Sequence, residues 1–409
     1  MKLTHVEQLA VFYEPEPGRR TKVGRLALAS RQILFQYEPA WVAARLELSP
    51  VRRRVTSDVI EGDPNVLDGL LGLFDDSLPD GWGRLLIDRR AAELGLSAAA
   101  LSPLDRLALV GARAMGALVY EPAIALDDPT IVKLSELAHE TELVLDGARG
   151  ADLEHLIAVG GSPQGARPKV LVQLSPTGEL HFGARSIEPG FTAWLVKFRA
   201  REDDRHAAAL EHAYFLMARA AGIAVPQTQI LGRTRRDAGY FAIERFDRAG
   251  ATRRHVHTLG GLLELPHGYP GLDYLDVLRV TRGLTRDEAA VAEMFRRACF
   301  NVLAHNRDDH ARNFAFVMDE RGAWRPSPAY DLTFAAGPGG EHTTLVTGEG
   351  RAPTADHLLE LARRSDLKRA RAIVDEVRAA IARFADHADD AGVPARLRAK
   401  VASALAVPA

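Results

Sequence analysis

The chain has 409 residues, 47% hydrophobic and 26% charged, enough for two or three domains with buried cores. Its 52 basic and 54 acidic residues leave a net charge of −2, so no global field draws it to nucleic acid or membrane. A single cysteine, Cys299, excludes intrachain disulfides and cysteine-clustered zinc, and its apolar neighbours make it a packing residue. With no apolar leader after Met1 and no run near about 18 apolar residues, a cytoplasmic protein without a membrane span is expected.

In chain order, strands are expected at 9–13 and 33–37, separated by the turn Pro15-Glu16-Pro17-Gly18. A turn-rich segment, 75–83, leads into a helix over 84–94 that Gly95 stops, and a second helix follows Ser102-Pro103. Residues 116–120 return to strand, and a boundary is placed near 122–129. Strands follow at 169–174, 180–183 and 194–198, then a helix over 208–221 with Tyr214, Phe215, Met217 and Ala218 on its apolar face. Further strands are expected at 228–231 and 240–243. Beyond about 258 the pattern turns helical, with Ile373, Val377, Ile381 and Phe384 at helical spacing. Three regions result: 1–122, 123–250 and 251–409.

The chemistry concentrates in Asn306-Arg307-Asp308-Asp309-His310-Ala311-Arg312-Asn313, set between an apolar helix and the strand 314–318. A turn at 319–322 then brings the chain back to Ser327-Pro328-Ala329-Tyr330-Asp331-Leu332. An Asp, an Asn five residues later and a second Asp after a short hairpin is the polar set a phosphoryl-transfer site requires. Asp308 would orient the attacking hydroxyl, while Asn313 and Asp331 would hold Mg²⁺ against nucleotide phosphates. The bland alternative is an Asx-rich loop that only caps and turns. His305 and His310 beside the carboxylates also leave open a metal-dependent phosphohydrolase, although His310 suits a loop-orienting role better.

Lys197 interrupts an apolar strand, where an ammonium needs an anion; a phosphate and Glu211 on the next helix are the candidates. The segment from Gly160 to Lys169 has three glycines in six residues, which suits a phosphate cradle or a plain hairpin, and Ser162 is expected to offer an exposed hydroxyl there. Glu244 to Arg248 is a connection whose backbone would meet an adenine edge or form a salt-bridged linker. The basic clusters 52–54, 233–236 and 253–255 are expected to be solvated faces or partner contacts.

Asn306 to Asn313, Ser327 to Leu332, Glu244 to Arg248, the glycine loop with Lys169, and Leu78-Pro79-Asp80-Gly81 together resemble the HipA-like serine/threonine kinases, toxin halves of bacterial toxin–antitoxin pairs. The resemblance spans nearly the whole chain. It implies an α+β, two-lobed protein-kinase-like fold with an added N-terminal α/β region and a mostly helical C-terminal lobe. It also implies Asp308 as the catalytic residue and Asn313 and Asp331 as Mg²⁺ ligands. Around ATP it places Gly165, Ala166, Arg167, Lys169, Lys197, Glu244, Phe246, His310 and Tyr330, with Ser162 as an autophosphorylated serine. The implied partners are a helix-turn-helix antitoxin, operator DNA through that antitoxin, and a protein substrate such as an aminoacyl-tRNA synthetase. Two other readings compete: a small-molecule kinase resembling aminoglycoside phosphotransferases, and a pseudokinase that only holds an antitoxin and DNA.

Overall fold

The computed structural model describes residues 5–30, 32–124, 126, 133–148, 150–183, 186–235 and 237–405. Part of the boundary expected near 122–129, and Arg236 of one basic cluster, lie outside them.

Alternation of Leu9, Val11 and Tyr13 toward the interior makes Gln8–Glu16 a one-face-buried strand. It is an inner strand of an antiparallel sheet ordered Ile60–Glu61, Gln32–Tyr37, Arg19–Ala29, Gln8–Glu16, Leu118–Glu121. The strand Arg19–Ala29 is an addition to the expected elements, because its charged start Arg19-Arg20-Thr21-Lys22 masks the alternation that begins at Val23. Helix Gly81–Glu93 starts three residues before the expected 84. Helix Pro103–Val110 is set by its ends: Pro103 follows a reciprocal capping box between Ser102 and Asp105.

The second sheet is also antiparallel, ordered Leu180–Phe182, Lys169–Leu174, Thr192–Lys197, Tyr240–Glu244, Thr228–Leu231. Lys169–Leu174 is buried at every position, so it reads as a run rather than an alternation. Helix Ala207–Ala220 packs against this sheet, with Phe215 against Phe241 at 5.4 Å between ring centres. Helices Leu134–Leu145 and Leu153–Gly160, absent from the sequence reading, precede the sheet.

The C-terminal half is helical apart from a small sheet of His255–Thr258, Ala315–Met318 and Trp324–Pro326. Its core helix, Glu288–Leu303, is capped by Asp287 and buries Val291, Met294, Phe295, Ala298, Cys299 and Val302. Ile373, Val377, Ile381 and Phe384 are all buried, though a break at Arg383 separates Phe384 into its own helix. Tyr214 donates its hydroxyl to Ala304 O at 2.8 Å, tying the sheet-packing helix to the chain just before 306–313.

Candidate active site

The loop 306–313 is anchored before it begins. Asn306 donates its backbone N–H to Asn301 O (2.9 Å) and Nδ2 to Asn301 Oδ1 (2.9 Å), pinning the loop to the end of the core helix. Asp309 is fully buried beneath it and accepts from Tyr274 Oη (2.8 Å), His342 Nδ1 (3.0 Å), Thr343 N (2.9 Å) and Thr344 N (3.1 Å). That network fixes the backbone on either side of Asp308. Asp309 is therefore a brace, a role that its place in the sequence does not reveal.

Asp308 points outward, its side chain 56% exposed. Partial burial, then the charges of Asp331 and Asp309, raise its carboxyl above the ordinary range against His310 and Arg167. Asn313 donates Nδ2 to the Asp308 carbonyl at 2.6 Å, which turns its Oδ1 away as an available acceptor. His310 caps the short turn Ala311–Asn313 by accepting from Arg312 N (3.3 Å), and His305 stacks on Phe334. Both histidines thus have local structural duties.

Asp331 adopts φ +56°, a left-handed backbone that an Asp tolerates and that functional sites retain. Its Oδ1 lies 2.6 Å from Lys197 Nζ, and the same Nζ is 2.6 Å from Glu211 Oε1. The expected Lys197–Glu211 pair is present, and Lys197 faces the interior rather than water. Burial alone would lower the Lys197 ammonium, but Asp331 and Glu211 outweigh it and hold it above its ordinary value. Lys197, helped by Lys169 and opposed by burial, keeps the Asp331 carboxyl well below the usual carboxylate range.

Lys169 stands directly opposite Lys197 across the antiparallel pair, and its Nζ donates to Gln164 O. Burial, and then repulsion from Lys197, lower its ammonium to about 8. Arg167 donates to Asp203 Oδ1 (2.8 Å) and lies 3.6 Å from Glu211. Lys169, Lys197 and Asp331 line a cleft of about 160 Å³ together with Gly165, Glu244, Phe246, His310, Asn313 and Tyr330, whereas Arg167 and Glu211 line a neighbouring cavity and Asp308 lines neither. Phe246 and Tyr330 stack at 5.6 Å between ring centres on one wall. Glu244 N is taken by Gln227 O (2.9 Å) and the Phe246 carbonyl by Arg254 Nη1 (3.0 Å), so those two backbone groups are engaged within the chain.

Two expectations fail. Ser162 is fully buried, not exposed: its Oγ accepts from Met115 N at 3.1 Å, because the loop packs inward against 113–115. The basic cluster 253–255 is not a solvated face, since Arg253 and His255 are buried against backbone carbonyls of Gly116, Leu118 and Leu48. Arg53 of the 52–54 cluster is likewise engaged, in a two-pronged pair with Glu264.

Local patterns also conceal the acidic turn 75–80. Asp75 pairs with buried Arg312, Asp76 accepts from His257 Nδ1 (2.5 Å), Thr258 N (2.7 Å) and Thr258 Oγ1 (2.7 Å), and Asp80 accepts from Gly165 N. Gly81 is required at this point: a Cβ would lie 2.7 Å from Ala166 Cα and from Gly165 O. The N-terminal region thereby grips both the glycine loop and the loop carrying Asp308.

Residues 161–385 match the HipA-like C-terminal domain and residues 18–121 the HipA N-terminal domain. The chain belongs to the HipA-like family. The HipA-like chain superposes on HipA of Shewanella oneidensis MR-1, solved with HipB and its operator DNA, with TM-score 0.69. That match covers 97% of this chain and 94% of that one at 17% identity, so the two share a fold. The fold is α+β and kinase-like, two-lobed with an added N-terminal region and a mostly helical C-terminal lobe. A Helicobacter pylori proinflammatory kinase, CtkA, aligns with TM-score 0.37 at 11% identity, over 52% of this chain and 85% of its own. A Sinorhizobium fredii protein provisionally named the kinase Y4dM is 28% identical over 211 residues, 47% of this chain. The HipA-like chain spans about half (50%) of the length of that curated relative. No described helix is long and apolar enough to cross a membrane.

Proposed function

We propose that the chain is an ATP- and Mg²⁺-dependent protein kinase acting on a serine or threonine hydroxyl, the toxin of a HipA/HipB-like pair working in the cytoplasm. The observation that carries this reading is Lys197 held between Glu211 and Asp331 on the wall of a cleft that Asn313 also lines. A lysine, helix glutamate and metal-binding aspartate in that relation serve phosphoryl transfer.

The donors fit the metal. The Asn313 amide oxygen and the Asp331 oxygen not engaged by Lys197 are hard ligands of the kind Mg²⁺ takes. Bound Mg²⁺ would supply charge neutralisation at the phosphate oxygens. The chain's own residues do the remainder. Asp308, exposed beside the cleft and raised in proton affinity, accepts a hydrogen bond from the attacking hydroxyl and then its proton. Lys197 and Lys169 hold positive charge where phosphates enter, and the braced loop keeps Asp308 in place.

In the same reading the partner is a helix-turn-helix antitoxin that carries operator DNA, as the HipA relative was solved with HipB and DNA. The substrate is a translation-related protein such as an aminoacyl-tRNA synthetase. Autophosphorylation at Ser162 requires this serine to leave its seat under Met115 N.

The test is incubation of the protein with γ-labelled ATP and a cell lysate, beside Asp308→Ala. Wild type should label protein bands, while the variant loses labelling and keeps its affinity for ATP. Undiminished labelling by Asp308→Ala refutes the assignment.

A further inference from the structure

A second cavity, of about 420 Å³, lies between the N-terminal sheet, the turn after helix Pro103–Val110 and the hairpin 248–253. Arg20, Arg113, Arg248 and Arg253 line it, and Glu14 is the one carboxylate among its described lining residues. It shares no lining residue with the cleft around Lys197.

The arginines come from separate elements and are mostly out of water: Arg113 is 8% exposed, Arg248 and Arg253 9% each. Backbone carbonyls hold them. Arg253 donates to Gly116 O (3.1 Å) and Leu118 O (3.2 Å), Arg248 to Gly116 O (3.0 Å) and Ala114 O (3.1 Å), and Arg113 to Leu109 O (2.7 Å). Carboxylates are scarcer. Glu14 and Glu121 both pair with Arg20, and Asp247 is shared by Arg245 and Arg248. Among the described residues Arg253 has no carboxylate within ion-pair distance, and Arg248 shares its Asp247 with Arg245, which lines the other cleft.

Carbonyl dipoles solvate a guanidinium but do not neutralise it, and a buried charge without a counterion is expensive. Burial, partly offset by Glu14 and Asp247, lowers the Arg253 guanidinium to about 10. Burial and then Arg245 likewise lower Arg248. Arg253, the lining arginine with no paired carboxylate among the described residues, faces a concave space of ligand size. Guanidinium forks converging from several directions suit the tetrahedral oxygens of a phosphoryl group better than a planar carboxylate.

We propose that this cavity is a binding site for a small organic phosphate, held by Arg20, Arg248 and Arg253 and separate from the nucleotide cleft. The test is calorimetric titration of the full chain with inorganic phosphate, glycerol 3-phosphate, succinate and a phosphoserine peptide at constant ionic strength. Wild type, Arg253→Gln, Arg20→Glu and Lys169→Gln are compared. Both small phosphates should bind wild type and Lys169→Gln saturably, and roughly tenfold or more weakly to the two arginine variants.

Four results overturn the proposal: no saturable phosphate binding to wild type; binding lost in Lys169→Gln but kept in Arg253→Gln; succinate binding as well as phosphate; or the phosphoserine peptide alone binding. Should Arg253→Gln fail to fold, Arg20→Glu at the 38% exposed rim decides. Unchanged phosphate affinity there overturns the site.

Discussion

Asp75→Asn tests how the N-terminal region holds the loop carrying Asp308. Asp75 and Arg312 are each 7% exposed, so solvent screens their interaction little. Burial raises the Asp75 carboxyl from its ordinary 3.8 to about 6, even with Arg312 opposing the rise. The unfolded chain releases this proton near pH 3.8, while the folded chain keeps it until about pH 6. The stability contributed by the protonated group is therefore complete below about pH 4 and lost as the pH climbs through about 6. At 1.36 kcal/mol per pH unit the loss is roughly 3 kcal/mol, and it is absent when the side chain cannot ionise. Urea unfolding of wild type and Asp75→Asn between pH 4 and pH 7 gives the difference in unfolding free energy, from which other titrating groups cancel. That difference should fall by roughly 3 kcal/mol across the range. A flat difference would mean that Arg312 fully compensates the buried carboxylate, and would refute a contact dominated by desolvation.

Lys197→Met leaves Glu211, 3% exposed, beside Asp331 without their shared cation, so a loss of about 3–5 kcal/mol in urea unfolding should accompany loss of labelling. Because Lys169 loses its proton near pH 8, affinity for a non-hydrolysable ATP analogue should weaken as the pH rises from 7 to 9. Fluorescence titration of wild type and Lys169→Met checks this; the variant should show a flatter profile. Asp309→Asn turns an amide toward donors that now meet a carboxylate, at a cost of about 3 kcal/mol or more. Thermal melting reads that loss, and labelling should fall with it because the backbone around Asp308 is no longer braced.

The residues around the cleft are legible where chemistry is written in short spacings. Asp308 and Asn313 share one loop, Asp331 lies one hairpin away, and Lys197 betrays itself as a charge in an apolar strand. Glu211 follows from asking what a buried ammonium would meet. The contacts that position these groups are not legible, because they join residues far apart in the chain. Nothing near Asp75 announces Arg312, 237 residues later, and Asp76 reaches His257 across 181 residues. Asp309 reads like its neighbour Asp308, and only tertiary packing turns one inward and the other outward. Ser162 misleads for a related reason: a Gly/Pro-rich loop suggests exposure, whereas its burial is set by a partner at Met115. In the fold, the strand starting at Arg19 is hidden by its polar first residues, while the burial of Arg253 depends on carbonyls of 116 and 118.

The grip of residues 75–80 makes the amino-terminal portion a structural lining of the half that carries Asp308 rather than an appendage. Were residues 1–122 excised, Arg312 and His257 would each lose an anionic neighbour in the interior, and the Gly165 amide would lose its acceptor. A fragment starting near 123 should therefore be aggregation-prone and inert, so shortened versions for crystallography or screening need to begin upstream of Gln8.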